Sequence, residues 1–369
     1  MAVHGAAVCS YAGFRDNEFS DETSLREKII EAIQRAEQES RLRIREIAVA
    51  VPAPFTKLVT TDAVIKVHSR DQRIDSEDID ALIAESLKKS RVKDAVLMHS
   101  TPVSFTVNGS YYAELPEDEE ASELGGTISH MYADESFVHR IESILEPIHV
   151  EISMCISATL AAALAIIPEQ ARVRPAVLID VGYTNTDVAV AENAALTSVA
   201  SIPAGGYHFA SDLSFRLDVP GEIAEYVKRR YVFGEEPLSP TEIIRMPGGP
   251  KRVEHRAITL IMEARANELI GLIRQSLAEQ GVNADAYPVT YLTGGGLAMV
   301  KGGADYLKRA LSLPVRLDKP YLPEMNTPNY ASAFGALDFV LRAMGEIYEE
   351  SDAPDIGTVV TKLRKFFKK

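Results

Sequence analysis

Two α/β domains built on mostly parallel sheets, with a smaller α+β unit set into the first of them, are predicted by three observations. Helical and strand patterns alternate along most of the 369 residues, the pattern of sheets covered by helices. Between residues 176 and 206 this gives way to a meander, "AVLIDVG", "TDVAVAE" and "ALTSVASIPAGG", whose strands are joined by turns too short for a helical crossover. Downstream, "PVTYLTGGGLAMVKG" reads as strand, glycine turn and helix, and "LPVRL" as a further strand. A hydrophobic content of 46% in a chain of this length supports a large core, divided between two domains.

The elements follow in order. "MAVHGAAVCS" predicts a strand, and "SDETSLREKIIEAIQRAEQESR" a capped helix with Leu25, Ile29, Ile33 and Ala36 on one face. "REIAVAV" completes a β–α–β opening. From about Pro52 to Ala133 the texture changes: "KLVTTDAVIKV" alternates like a half-buried strand, and "DSEDIDALIAESLKKS" is a capped helix. "DAVLMHS", "VSFTV" and "GTISHMYA" are short strands around the acidic loop "ELPEDEEASE". The helix "DESFVHRIESIL" and the strand "HVEISMCIS" then resume the earlier style, so the intervening unit reads as an insertion. After the meander come the helical "GEIAEYVKRRYVF", a Pro/Gly-rich loop, "PLSPTEIIRMPGGPKR", and a long amphipathic helix from about Val253 to Gly281.

Charge and composition narrow the function. A net charge of −14 argues against general binding of nucleic acid, whose phosphates require a basic surface. No apolar run approaches the roughly 20 residues of a spanning helix, and the first residues lack the basic start and apolar middle of a signal peptide, so a cytoplasmic protein is expected. Cys9 and Cys155 lie far apart and read as buried small hydrophobes in a reducing compartment. The eight histidines show no metal-ligand spacing, and neither G-x-S-x-G nor H-E-x-x-H occurs.

Residues 346–355 read as an acidic, solvated linker, with Pro354 interrupting any helix. In residues 356–369, Ile356, Val359, Val360, Leu363, Phe366 and Phe367 fall on one face of a helix, with Lys362, Arg364, Lys365, Lys368 and Lys369 outside it. Such a helix is about 21 Å long and can lie on a bilayer but not cross it. An anionic membrane surface is the favoured partner; docking on the protein's own core or in a partner's groove is the alternative.

Four motifs carry the chemistry. In "VLIDVGYTNTDVAV" an apolar strand runs into Asp180 and Gly182, turns through Thr184 and Asn185, and leaves through Asp187. Such a turn offers backbone N–H groups to a phosphate; Asp180 could order water on Mg²⁺, and Asp187 could position an attacking water. Tyr183 and Thr184 stand where these turns carry glycine, and if either needs φ > 0 the cost is about 1 kcal/mol, with weak binding and poor hydrolysis as the result. Gly294, Gly295 and Gly296 would let a ligand lie on bare backbone before a helix N-terminus. Gly205 and Gly206 form another turn, for which a plain loop is an equal reading, and Glu225 and Lys228, three apart on a helix, could embrace a ribose and base edge or simply pair at the surface.

Taken together, these residues resemble the FtsA family of bacterial cell-division proteins, actin homologues. "DVGYTNTDVAV" stands where that family has D-[IV]-G-G-G-T-x-D, "YLTGGGLAMVKG" is similar to its L-T-G-G turn, "IPAGGYHFASDL" to its third-strand exit and "AEYVK" to its A-E-x-x-K helix. "EARANELI", "ISATLAAALAII" and "NYASAFGAL" resemble its other helices. The resemblance implies an actin-like (RNase H-like) two-domain ATPase fold: subdomain 1A at 1–51 and 134–175 with a connecting helix at 328–345, inserted subdomain 1C at 52–133, subdomain 2A at 176–217 and 270–327, and subdomain 2B at 218–269. It implies ATP and Mg²⁺ as ligands, self-association into a filament, and the FtsZ C-terminal peptide and other division proteins as partners. The location implied is peripheral, on the cytoplasmic face of the membrane at the septum. Two departures stand out: the family opens with two further strands carrying a phosphate loop, so that Met1 reads as an internal methionine or the chain as a degenerate paralogue, and the 183–185 turn is substituted. Weak or absent ATPase activity is expected. A PilM-like pilus adaptor and an actin-fold small-molecule kinase are the rivals.

Overall fold

The computed structural model describes residues 3–67, 72–114, 119–236, 239–246, 248–282 and 289–343. The acidic linker and the amphipathic segment, 346–355 and 356–369, lie outside the described residues. The chain divides into two compact units: Met1–Arg174 with Ala191–Ser198 and Ser332–Lys369, and Pro175–Val190 with Val199–Ala331.

In the first unit the predicted opening strand is absent. Residues 3–13 instead run beside helix α1 (Glu22–Ser40), where the N–H of Ala6 donates to Glu39 Oε2 at 2.9 Å and Arg35 Nη1 donates to the Val8 carbonyl at 3.2 Å. A strand needs a neighbouring ladder, and here the polar backbone is answered by side chains of a helix. Cys9 is correspondingly half-buried rather than core; Cys155 is buried, which pushes its thiol up to about 11. A two-residue hairpin, β1 (Phe14–Arg15) with β2 (Glu18–Phe19), places Phe19 on a stack with Phe55 and Phe137. Strand β3 (Glu46–Val51) follows α1.

The inserted unit is a four-stranded sheet covered by one helix. Its elements are β4 (Thr56–Lys66), α2 (Ser76–Leu87), β5 (Ala95–Val107), β6 (Ser110–Tyr112) and β7 (Glu123–Asp134), in the sheet order β4-β7-β5-β6. Ile79 and Leu82 of α2 bury against Phe105, Leu124 and Ile128. β5 is one long strand where two short ones were expected; register shifts at Leu97/His99 and Pro102/Ser104 let it absorb a proline without ending. The chain continues through α3 (Glu135–Leu145), β8 (Glu151–Ser157), α4 (Ala158–Ile166) and α5 (Glu169–Arg172). β8 pairs in parallel with β3, and among the described residues that sheet has only these two strands, although β3 is almost wholly apolar and only Val51 of it is fully buried.

The second unit centres on a five-stranded sheet. In chain order its elements are β9 (Ala176–Val181), β10 (Thr186–Glu192), β11 (Ala195–Ile202), α6 (Gly206–Leu217), α7 (Gly221–Arg230), β12 (Thr241–Met246), β13 (Gly249–Glu254) and α8 (His255–Glu279). β14 (Thr290–Thr293), α9 (Gly303–Leu311) and β15 (Val315–Leu317) complete it, and α10 (Ala331–Ala343) follows. The strand order is β11-β10-β9-β14-β15, with β14 parallel to both of its neighbours. Val177, Leu178 and Ile179 are fully buried, as a central strand flanked on both faces requires. Phe209, Leu213, Met262, Ala266 and Ile270 of α6 and α8 pack into the same core.

Three expectations change here. The predicted loop at 237–252 contains an antiparallel hairpin, because "TEIIRM" and "GPKRVE" alternate about a turn through Gly248 and Gly249, both at positive φ. The Gly205–Gly206 turn begins a helix, α6, that was not expected. The glycine run at 294–296 does not begin one: residues 294–300 form turns, and α9 starts only at Gly303.

Candidate functional site

The candidate residues sit where three turns of the second unit converge. The first turn links β9 to β10 and is closed by the Gly182 N–H donating to the Asn185 carbonyl at 2.9 Å. Neither Tyr183 nor Thr184 has positive φ, so the side chains that replace glycine here carry none of the strain the sequence suggested. The second turn lies between β11 and α6, and the third is the Gly294–Gly296 run after β14.

These turns are hydrogen-bonded to one another. The N–H of Gly206 donates to the Gly182 carbonyl at 2.9 Å and that of Tyr207 to the Tyr183 carbonyl at 2.6 Å. The Gly296 N–H donates to the Val181 carbonyl at 2.7 Å, Gly294 N–H to Pro328 at 3.2 Å, and Gly205 N–H to His208 Nδ1 at 3.0 Å. Glycine is required because backbone fills the space a side chain would take. A β-carbon at Gly296 would collide with the Gly182 carbonyl, and one at Gly206 would lie 2.9 Å from Gly296 Cα. Gly294, at φ +89°, has Asp180 Oδ1 against the same space.

The side chains are engaged as well. Asp187 Oδ1 accepts from Ser201 Oγ at 2.7 Å, and Asn185 Nδ2 donates to the same hydroxyl at 3.3 Å. Lys228 is buried: its Nζ lies 2.7 Å from Glu225 Oε2 and donates to the Gly206 carbonyl at 3.0 Å. Burial pushes the Lys228 pKa down, against the pull of Glu225. Glu225 also pairs with Arg229 at 2.8 Å. This is therefore no surface ion pair, since it ties α7 to the first residue of α6. The structure brings Asp180, Gly182, Gly205, Gly206, Gly294, Gly296, Glu225 and Lys228 into one cluster, with Thr184 and Asn185 on the 182–185 turn.

Sequence reasoning missed three contributors. Tyr183 was noted only as a departure, yet its ring lies 5.6 Å from Lys228 Nζ and meets the Tyr207 ring edge-on at 5.8 Å. Ser201 and His208 were not singled out, because a lone serine in a strand and a histidine three residues past a glycine carry no spacing signal.

A nucleoside phosphate bound at such turns needs free backbone donors. Here the N–H groups of Gly182, Gly205, Gly206, Tyr207, Gly294 and Gly296 are spent on the protein itself, so the arrangement as it stands does not fit a phosphate at those six positions. No group of three or more His, Cys, Asp or Glu among the described residues stands together as a metal site, and none of the described helices is long and apolar enough to cross a membrane.

Comparison with known proteins supplies the relationship. The family model described as "Cell division protein FtsA" matches residues 177–335. The chain is 22% identical over 329 residues to the cell division protein FtsA of Neisseria meningitidis serogroup B, covering 86% of this chain and 79% of that one. It is 22% identical over 330 residues to that of Pseudomonas aeruginosa, covering 87% and 78%. Among solved structures it is similar to a chain of a PilM-PilN type IV pilus biogenesis complex, with a TM-score of 0.56 at 18% identity over 88% of this chain and 86% of that one, a likeness of fold. By its motif order and these relatives the chain resembles FtsA over most of its length, and its fold is the actin-like one.

Proposed function

We propose that this protein is a tethering adaptor of the bacterial division machinery, holding FtsZ filaments at the cytoplasmic face of the membrane at the septum. The observation that carries the reading is the pairing, in one chain, of an FtsA-like body with a basic amphipathic sequence at 356–369. One helix of that length binds a bilayer only marginally, whereas a filament presenting many multiplies the attachment by avidity. Head-to-tail polymerisation then controls attachment, and the sheet at 52–133 meets neighbouring subunits and other division proteins.

The lobe at 218–269 is the proposed receptor for the FtsZ C-terminal peptide. It holds a cavity of about 390 Å³ lined by Arg230, Tyr231, Thr241, Ile243, His255 and Ile258. Ile243 is exposed at its edge, so an apolar peptide side chain would gain burial there while Arg230 meets a carboxylate. The adaptor role asks for no hydrolysis, and a nucleotide controlling polymerisation would have to be held by groups other than the six N–H donors spent at the three turns.

Replacing Phe366 and Phe367 by Glu tests the tether. Both variants should stay folded and bind the FtsZ peptide as before, yet no longer co-sediment with vesicles containing anionic lipid. Unchanged co-sedimentation would refute the membrane role.

A further inference from the structure

The inserted sheet has one face covered by its helix. Alternate residues along its strands, among them Ala63, Phe105, Leu124 and Ile128, bury against Ile79 and Leu82 of α2. The residues between them point the other way. At one end that second face is covered too, by the tip of the β10–β11 hairpin, where Ser129 Oγ donates to the Leu196 carbonyl at 2.6 Å. At the other end, register places Val64, Gly125, Thr106 and Tyr111 side by side across β4, β7, β5 and β6. Val64 is 55% and Tyr111 61% exposed, while Gly125 is buried and Thr106 half-buried. A β-carbon at Gly125 would collide with Thr106 Oγ1 and lie 3.3 Å from Val64 Cγ2, so the glycine keeps a low floor between two apolar walls.

The rim of this groove is acidic. Exposed Asp62 stands on one side, its Oδ1 accepting from Thr127 Oγ1 at 2.6 Å, and exposed Glu123 on the other, opposite Lys66. The connection from β6 to β7 adds Glu114, Glu119 and Glu120, and from 114 to 123 the sequence holds six acids and no base. Lys66 and Arg73, the latter 3.9 Å from Glu120, offset only part of that charge.

Apolar area ringed by negative charge is also what an anionic bilayer offers. The complement is the chain's own sequence at 356–369, with Phe366 and Phe367 beside Lys362, Arg364, Lys365, Lys368 and Lys369. Its reach is sufficient. Phe339 of α10, the last described helix before it, lies 6.1 Å from the His99 ring of β5. From His99 to Thr106 that strand rises about 24 Å, whereas residues 344–355 can span about 40 Å when extended.

We propose that the open face of the inserted sheet is a second seat for the 356–369 segment of the same chain, taken when no membrane is present. Phe366 and Phe367 fill the groove between Val64 and Tyr111, and the neighbouring cations meet the acidic rim. Membrane and sheet then compete for one segment, and the lipid-free protein hides its own attachment. The inference rests on reading 356–369 as the membrane-binding segment.

The chain contains no tryptophan, so Phe366→Trp in the full chain gives a reporter confined to the segment. Without lipid its emission should lie to the blue of a free 352–369 peptide carrying the same substitution, and should stay there on dilution. Val64→Thr with Tyr111→Thr, uncharged and suited to a strand, should return the emission to that of the peptide. The same pair should raise affinity for anionic vesicles about tenfold, the gain when a segment sequestered about nine-tenths of the time is freed. Peptide-like emission before the groove is altered overturns the proposal, as does emission that the two substitutions leave unmoved. Emission that reddens on dilution also overturns it, giving the seat to the tail of a second copy. Should the threonine pair melt early, Glu119→Gln, Glu120→Gln and Glu123→Gln together, which leave the groove intact, carry the same expectation. Responsive emission with no vesicle binding by any variant supports the seat and removes the membrane role alone, so the two readings fail separately.

Discussion

His130 is fully buried in the inserted sheet between two hydroxyls, with Nδ1 2.8 Å from Ser100 Oγ and Nε2 2.8 Å from Ser86 Oγ. Burial pushes its pKa down to about 4, and that of His99, equally enclosed, to about 4 as well. Both folded values lie below the unfolded value of roughly 6.5, so the neutral imidazoles contribute stability that is complete above that pH and is lost as the pH falls toward 4. The urea midpoint should therefore drop between pH 7 and pH 5, and His99→Leu should flatten part of that slope; an unchanged slope would remove His99 from the account. Residues of this kind were not legible in the sequence, where a histidine in a strand has no signature of its burial. The glycines were legible, because three turns in the right order need them, but what fills their space was not. A missing β-carbon admits a ligand or another stretch of backbone equally well, and only the hydrogen bonds from Gly206 to Gly182 and from Gly296 to Val181 decide between them.

Helix starts are where elements were most readable. Asp75 caps α2, accepting from the N–H groups of Glu77 and Asp78, while Asp78 Oδ2 accepts from the N–H of Asp75, a reciprocal box written plainly in "DSEDIDAL". Asp75→Ala should cost about 1 kcal/mol in urea unfolding; a loss below a few tenths would mean that packing of Ile79 and Leu82 alone holds the helix. Helix α6 was missed although Phe209, Ala210, Leu213 and Leu217 have helical spacing, because two glycines at its head drew the reading toward a turn. The opposite error came at 294–296, where a helix was placed directly after the glycines. Gly294 sits in a left-handed conformation and glycine is a poor helix former, so six more residues, 297–302, pass before α9 begins at Gly303. The β12–β13 hairpin was hidden by its own proline and glycines, which mark its turn and not the absence of strands.

The order of elements, more than any one of them, made the fold class readable: a β–α–β unit, an insertion, a meander, then helix and parallel strands. What the order could not convey is how the chain divides, since the tip of the β10–β11 hairpin, residues 191–198, counts with the first unit. Asn193 in that tip donates through Nδ2 to the carbonyls of Val103 at 2.7 Å and Ala113 at 3.0 Å, contacts with no trace in local spacing. On the proposed adaptor reading, attachment by many weak tails predicts that the vesicle-bound fraction rises more steeply than hyperbolically with protein concentration; a simple hyperbola would mean monomers bind independently. One further consequence follows from β3, which has a single neighbour among the described residues. Its outer flank is a row of peptide groups beside apolar side chains, a template on which any extended polypeptide can crystallise a third rung. Pelleting alone will then count two kinds of particle as one, and an amide I infrared band growing with concentration will expose the ribbon-like kind that owes nothing to actin geometry.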